Sequence, residues 1–259
     1  MVEAIAVLAA GFWAGMINVV VGSGTLVTFP TLLLFGYPPL VANVSNNIGL
    51  VGGGLTGTFG YRRELRGRGG VLRRLLPASL LGGMTGAILL LVLPAAAFQL
   101  IVPGLIALGL VMVVWGPALQ RRITRGRDTG DGHGHLATLT GPRLAGVVAG
   151  VYVLGIYGGY FGAAQGVLLV GLMSVLTSDD IQSVTGLKNL LTTAVNVVAA
   201  AIFLLISAGS VDWKVVGLIA TGATLGGVAG AHFGRRLPPV AMRALIVVVG
   251  VAAIARMLL

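Results

Sequence analysis

Of 259 residues, 56% are hydrophobic and 9% charged, where a soluble domain carries about 25% charged residues, so a water-soluble globular domain is excluded. The net charge of +10 would suit nucleic acid, but the arginines crowd into "YRRELRGRGGVLRR" (61–74), "QRRITRGRD" (120–128) and "GRRLPP" (234–239). Basic clusters between apolar runs mark the cytoplasmic loops of a multi-pass membrane protein and not a nucleic-acid face.

The chain opens on "MVEAIAVLAAGFWAG", which lacks a basic leading region and is expected to stay as a first segment rather than be cleaved as a signal peptide. That segment breaks at Gly22, Ser23, Gly24 and Thr25. A short apolar piece follows at 26–36, below the roughly 20 residues a helix needs to cross the hydrocarbon core, so it can cross or re-enter. Fuller segments are expected at 41–60, 75–93 and 97–116. A polar stretch, 118–142, leads to a second set: an apolar segment breaking at Gly162–Gly166, a short piece at 167–176, and fuller segments at 183–207, 214–233 and 239–257. Continuous apolar runs of this kind exclude a β-barrel.

The two sets resemble each other. "GGMTGAILLLVLPAAA" (82–97) aligns with "GGVAGAHFGRRLPPVA" (226–241) at an offset of 144. "GSGTLVTFPTLLL" (22–34) falls near an offset of 142 from "AAQGVLLVGLMSV" (164–176), pairing Gly24 with Gly166, and Asn47 pairs with Asn189. Residues 1–117 and 143–259 therefore read as two transmembrane repeats joined by a basic linker, 118–142. Loop 61–74 is basic but its counterpart 208–213 has no lysine or arginine, whereas 234–238 is basic and its counterpart 94–96 is not. The charge bias changes sides, so the expected fold is an all-α polytopic membrane protein of two inverted-topology repeats. Each would hold a broken or re-entrant helical hairpin followed by three transmembrane helices, about 8–10 helical segments altogether. Loops 61–74, 117–142 and 234–238 are expected inside and both termini outside. Inverted repeats with interrupted helices are the plan of many secondary transporters, whose substrate sits where the broken helices meet.

The candidate site follows from that plan. Lys188 is one of two lysines and lies about two turns inside an apolar segment, where a charge costs about 2.5–3.5 kcal/mol on insertion scales. Either its stem reaches the interface, or it stands in a polar cavity facing an anion. Thr185, Lys188, Asn189, Thr192, Thr193 and Asn196 follow steps of three and four along one helix face, and Asn43, Asn46 and Asn47 do the same on the repeat-mate. Such stripes also join helices. The breaks add free backbone N–H groups and the positive end of a helix dipole, with Ser23, Thr25 and Gln165 as further donors and Gly22, Gly24 and Gly166 allowing close approach. The expected substrate-binding set is Gly22, Ser23, Gly24, Thr25, Asn46, Asn47, Gln165, Gly166, Lys188 and Asn189, with Thr185, Thr192 and Asn196 as a secondary stripe. Gly11, Gly15, Gly222, Gly226, Gly230 and Gly234 are expected to be packing glycines.

Other motifs fall away. Gly52-x-Gly54-x-x-Gly57 fits a dinucleotide fingerprint but follows no strand. Asp131, His133 and His135 in "DGHGH" lack further ligands and read as a solvated loop. No cysteine is present, which removes disulfides, thiolate metal sites and cysteine nucleophiles. Nothing resembles a catalytic triad or paired-carboxylate site, so no enzymatic activity, metal or cofactor is expected. All seven carboxylates fall at termini, loops or span ends. A coupling ion, proton or sodium, would have to use Lys188, the substrate's own protonation, or backbone and amide oxygens.

The stretches "GFWAGMINVVVGSGTLVTFPTLLLFGYPPLVANVSNNIGLVGGGLTGTFGYRREL" and "GIYGGYFGAAQGVLLVGLM" with "GLKNLL" resemble the paired repeat signatures of the TauE/SafE sulfite exporter family, also called the toluene sulfonate uptake permeases. The resemblance spans the chain outside 118–142. It implies a permease of the bacterial plasma membrane, with the lipid bilayer and a small anionic substrate as its partners. The substrate class it implies is sulfite or a small organosulfur anion, with export the expected direction. A passive small-anion channel on the same scaffold is the alternative.

Overall fold

The computed structural model describes residues 1–125, 135–233 and 239–258. Among these are ten α-helices: α1 (Val2–Val20), α2 (Thr25–Leu34), α3 (Pro39–Gly60), α4 (Gly69–Val92), α5 (Ala95–Arg125), α6 (Gly141–Tyr160), α7 (Gln165–Leu176), α8 (Ile181–Ile206), α9 (Trp213–Phe233) and α10 (Pro239–Leu258). Six of them, α1, α4, α5, α6, α8 and α9, are long and apolar enough to cross a membrane. The protein is a multi-pass, all-helical membrane protein. The loop 234–238, with Arg235 and Arg236, lies outside the described residues, as do Gly234, Asp131 and His133.

Two helices start or end away from the expected positions. α4 begins at Gly69, inside the basic stretch, and α5 runs on to Arg125 instead of stopping near 116. Both extensions contain arginines, Arg73 and Arg74 in one and Arg121, Arg122 and Arg125 in the other, and arginine favours helix without needing lipid around it.

The short helices α2 and α7 turn back. Tyr37, just after α2, donates its hydroxyl to Glu3 at the start of α1 over 2.7 Å, so both ends of the α1–α2 hairpin lie at one end of the bundle. Lys214 at the start of α9 also reaches Glu3, at 3.4 Å. At the opposite end, Asp179 after α7 accepts from Arg68 before α4 and from Leu136 N before α6, the latter at 2.7 Å. Arg74 donates to Leu139 O there too, at 3.2 Å. Segments 61–74, 135–140 and 177–180 thus share one face, and 1–3, 35–38 and 207–214 share the other. The two faces are fastened differently: the Asp179 side chain is 1% exposed, while Glu3 and Lys214 are 36% and 62% exposed.

Glycine seams set the packing. A Cβ on Gly15 would lie 2.7 Å from Ala223 Cα, and Gly222, Gly226 and Gly230 meet α1 in turn, so α1 and α9 run side by side in the same direction. A Cβ on Gly155 would lie 3.0 Å from Gly82 Cα, and Gly86 and Gly159 continue a second parallel seam between α4 and α6. Small residues at these positions let backbones touch, which replaces the hydrophobic drive that lipid cannot give. The dinucleotide-like glycines of α3 serve the same end: Gly52 abuts Thr224, Gly54 abuts Thr193 and Gly57 abuts Val19.

Candidate functional site

Each hairpin is broken at its tip by glycine. After α1, Val21 N and Gly22 N both donate to Ile17 O at 2.7 and 2.9 Å. Gly22 then takes φ +90°, a left-handed conformation that side-chain-bearing residues avoid. Asn18 Oδ1 accepts from Gly24 N at 2.9 Å and closes the turn into α2. The second tip repeats this: Phe161 N and Gly162 N donate to Tyr157 O at 2.9 and 3.0 Å, with Gly162 at φ +75°. Here Gln165 Nε2 ties back to Leu154 O at 3.0 Å.

The tips meet inside the bundle. Gly166 N donates to Gly22 O at 3.0 Å, and a Cβ on either glycine would stand 2.5 Å from the other's Cα. Phe161 also packs edge-on against Phe29 of α2, with ring centroids 5.1 Å apart. The expected equivalence of Gly24 with Gly166 shifts by two residues. The left-handed glycines are Gly22 and Gly162, and the helices restart at Thr25 and Gln165. The offset returns to its expected value by Pro39 and Ile181 because α7 has 12 residues against 10 in α2.

Lys188 crosses this junction. Its stem lies over both glycines: a Cβ on Gly22 or Gly166 would come within 3.2 or 2.8 Å of its Cδ. The side chain is 0% exposed, and Nζ donates to Asn18 O at 2.8 Å and Val19 O at 3.0 Å. These are last-turn carbonyls of α1, left without intrahelical donors by the break and lying at the negative end of its dipole. The ammonium therefore caps α1. Asn43 does the matching task for α6, donating from Nδ2 to Tyr160 O at 2.9 Å. Each broken helix is capped by a side chain from the other half of the chain, one charged and one neutral.

The remaining expected residues divide. Ser23 is fully buried with no hydrogen-bond partner for its Oγ, beside the restart at Thr25, which is itself buried. Asn189 Nδ2 and Asn47 Oδ1 are likewise buried and unpartnered, while Asn47 Nδ2 reaches Asn196 Oδ1 at 3.4 Å. Asn46 is engaged, accepting from Thr28 of α2. The hydroxyls of Thr185, Thr192 and Thr193 donate to carbonyls one turn back in α8, the usual resting place of threonine in a helix. A polar cleft beside the tip of α1 is lined by Asn18, Val19, Asn189, Thr192, Thr193 and Asn196. α8 is anchored below this by Asp180, whose Oδ1 accepts from Gln182 N and Ser183 N at 2.9 and 3.2 Å. Hydrogen bonds from Ser183 hold the Asp180 carboxyl below the usual range.

Sequence reasoning passed over Asn18, Thr28, Asn43 as a cap, and Tyr160. Asn18 was detectable as the single amide in the apolar first segment. The others depend on which helices touch. Among the described residues no cluster could hold a metal ion.

Comparison with known proteins finds relatives along almost the whole chain. The profile of the family described as "Sulfite exporter TauE/SafE" matches residues 7–257. A probable membrane transporter protein, ORF9, from Sinorhizobium is 29% identical over 254 residues, covering 96% of this chain and 90% of the relative. A probable membrane transporter protein from Haemophilus influenzae is 27% identical, covering 95% and 91%. The probable membrane transporter protein YfcA of Escherichia coli is 25% identical, covering 95% and 86%. No solved structure matches the chain. With a family match running almost end to end over two glycine-broken hairpins, the chain belongs to the TauE/SafE sulfite exporter family of membrane transporters.

Proposed function

We propose that the protein is a secondary carrier of the bacterial cytoplasmic membrane for a small sulfur oxyanion such as sulfite or an organosulfonate, with export as its working direction. The observation that carries this reading is the junction itself. Two helix restarts, the unpartnered Ser23 Oγ and the Lys188 ammonium converge where Gly166 meets Gly22. Helix N-termini favour anions, and among the described residues no carboxylate hydrogen-bonds the buried cation. An oxyanion entering between the tips would draw on Ser23, Gln165, Asn47 and Asn189 as donors or orienting groups. The occluded packing of the tips suits a carrier that must open to load, whereas a channel needs a continuous path.

Purified protein in liposomes should move at least one anion from a panel of sulfite, thiosulfate, small sulfonates, chloride and nitrate, with saturable rates. Currents far above carrier turnover would replace the carrier by a channel, and no flux of any anion would sink both. The half-repeats would insert in opposite senses, with 61–74 and 117–142 in the cytoplasm. Cysteines introduced in 61–74 should then resist an impermeant thiol reagent outside intact cells, and those in 208–213 should react. The reverse pattern would overturn the orientation.

A further inference from the structure

The carrier reading leaves open what couples transport to an ion gradient, and the surroundings of Lys188 bear on that question. Secondary transporters hold coupling cations on unwound carbonyls and at the C-terminal ends of broken helices. In this protein that position, the last turn of α1, is already filled from within by Lys188 Nζ on Asn18 O and Val19 O. We propose, resting on the carrier reading, that Lys188 carries the coupling proton, taken up with the anion on one side of the membrane and released with it on the other. An outside-acid proton gradient then favours anion entry, and export runs down the anion's own outward gradient.

Two observations support the assignment. Nζ has two acceptors, which is the number of N–H bonds in a neutral amine; an ammonium has three. The third proton finds no acceptor among the described residues, so it is the one an arriving anion can receive as a hydrogen bond. The same two residues that hold Nζ, Asn18 and Val19, also line the polar cleft, which is where the released proton would meet water. Release breaks one Nζ–H bond, leaves its electron pair on nitrogen and passes the proton to a water molecule in that cleft. The lysine then stays on its two carbonyls without the charge that attracts the anion.

Among the described residues no other ionisable group hydrogen-bonds Nζ. Against α8 pack α1, α3, α4, α6, α7 and the short turn Ala208–Ser210, which has no titratable side chain. α7 has no titratable side chain, and Glu3 of α1 lies at that helix's far end. Tyr61 and Glu64, following α3, lie against Gly186. α4 brings Arg73 and Arg74 in its first two turns, and α6 brings Arg143, Tyr152, Tyr157 and Tyr160. None of them hydrogen-bonds Lys188 Nζ.

The test uses proteoliposomes with an internal pH dye and methanesulfonate, which has no proton to carry near neutral pH, or sulfite if no sulfonate is taken. Anion entry into wild-type vesicles should bring protons with it. A gradient of about one pH unit should raise steady-state accumulation about tenfold at one proton per anion. Lys188→Arg keeps a permanent charge, so it should retain reduced anion exchange yet gain nothing from the pH gradient. If that variant shows no exchange, Lys188→Cys alkylated with bromoethylamine, selective because the chain has no cysteine, restores a weaker amine. Driven transport should then peak at lower pH than in wild type. Wild-type flux that ignores pH or follows sodium would overturn the proposal. So would an arginine variant driven like wild type, or an alkylated variant with an unmoved pH profile. Anion flux without proton movement refutes only the coupling; absence of all anion flux refutes the carrier reading and the coupling with it.

Discussion

Lys188→Met should cut anion flux by about 10- to 100-fold, the loss expected from removing a hydrogen bond to a charged group worth about 1.5–3 kcal/mol, while the protein still inserts and accumulates. Two opposing terms make normal abundance the expected result. The substitution leaves Asn18 O and Val19 O without their donor, at a cost of about 1–3 kcal/mol. It also removes the penalty of holding a charge inside the membrane, about 2.5–3.5 kcal/mol on insertion scales. Methionine keeps an unbranched stem, so the surface over Gly22 and Gly166 remains filled. Rates measured across the anion panel, normalised to reconstituted protein, check this. Wild-type flux from the methionine variant would reduce Lys188 to a structural cap and move attention to Asn47, Asn189 and Ser23.

Gly166→Val should abolish transport by a different route. Its Cβ would lie 2.5 Å from Gly22 Cα and 2.8 Å from Lys188 Cδ, and the first of these is backbone that cannot yield without parting the tips. Overpacking of this kind costs about 1–3 kcal/mol, and here the strain falls on the hydrogen bond from Gly166 N to Gly22 O. Gly171, on the same helix, has nothing within 4 Å of a built Cβ, so Gly171→Val should transport near the wild-type rate. Equal flux from both variants would show that contact between the tips does not matter to the cycle.

Much of the architecture is legible in the sequence because the lipid environment writes simple signals. Apolar runs, arginine clusters and glycines at four-residue steps located the helices, the shared face of 61–74 and 135–140, and the glycines that pack α1 and α9, though not that these two helices are partners. The glycine breaks at 22–25 and 162–166 were legible as well, since few other roles suit Gly-Ser-Gly in a span. The return of α2 and α7 was not, because ten or twelve apolar residues fit either a short crossing or a re-entrant arm. What Lys188 touches was also hidden. Periodicity places it on the polar face of α8, but its partners are main-chain carbonyls, which carry no residue signature. The repeat register slipped at the tips for a related reason: glycine-rich segments align equally well at neighbouring offsets.

The glycine seams have a consequence for how the protein is made. α1 emerges from the ribosome long before α9, yet α9 is the helix whose backbone Gly11 and Gly15 touch. During most of synthesis the bare face with Gly11 and Gly15 has no mate. α6 instead finds α4 already in place. The second hairpin can therefore dock as it is translated, while the first waits in lipid or against a membrane chaperone until α9 arrives. Truncated nascent chains ending before α9 should leave α1 exposed to crosslinking by insertion factors, and chains extended through Phe233 should bury it.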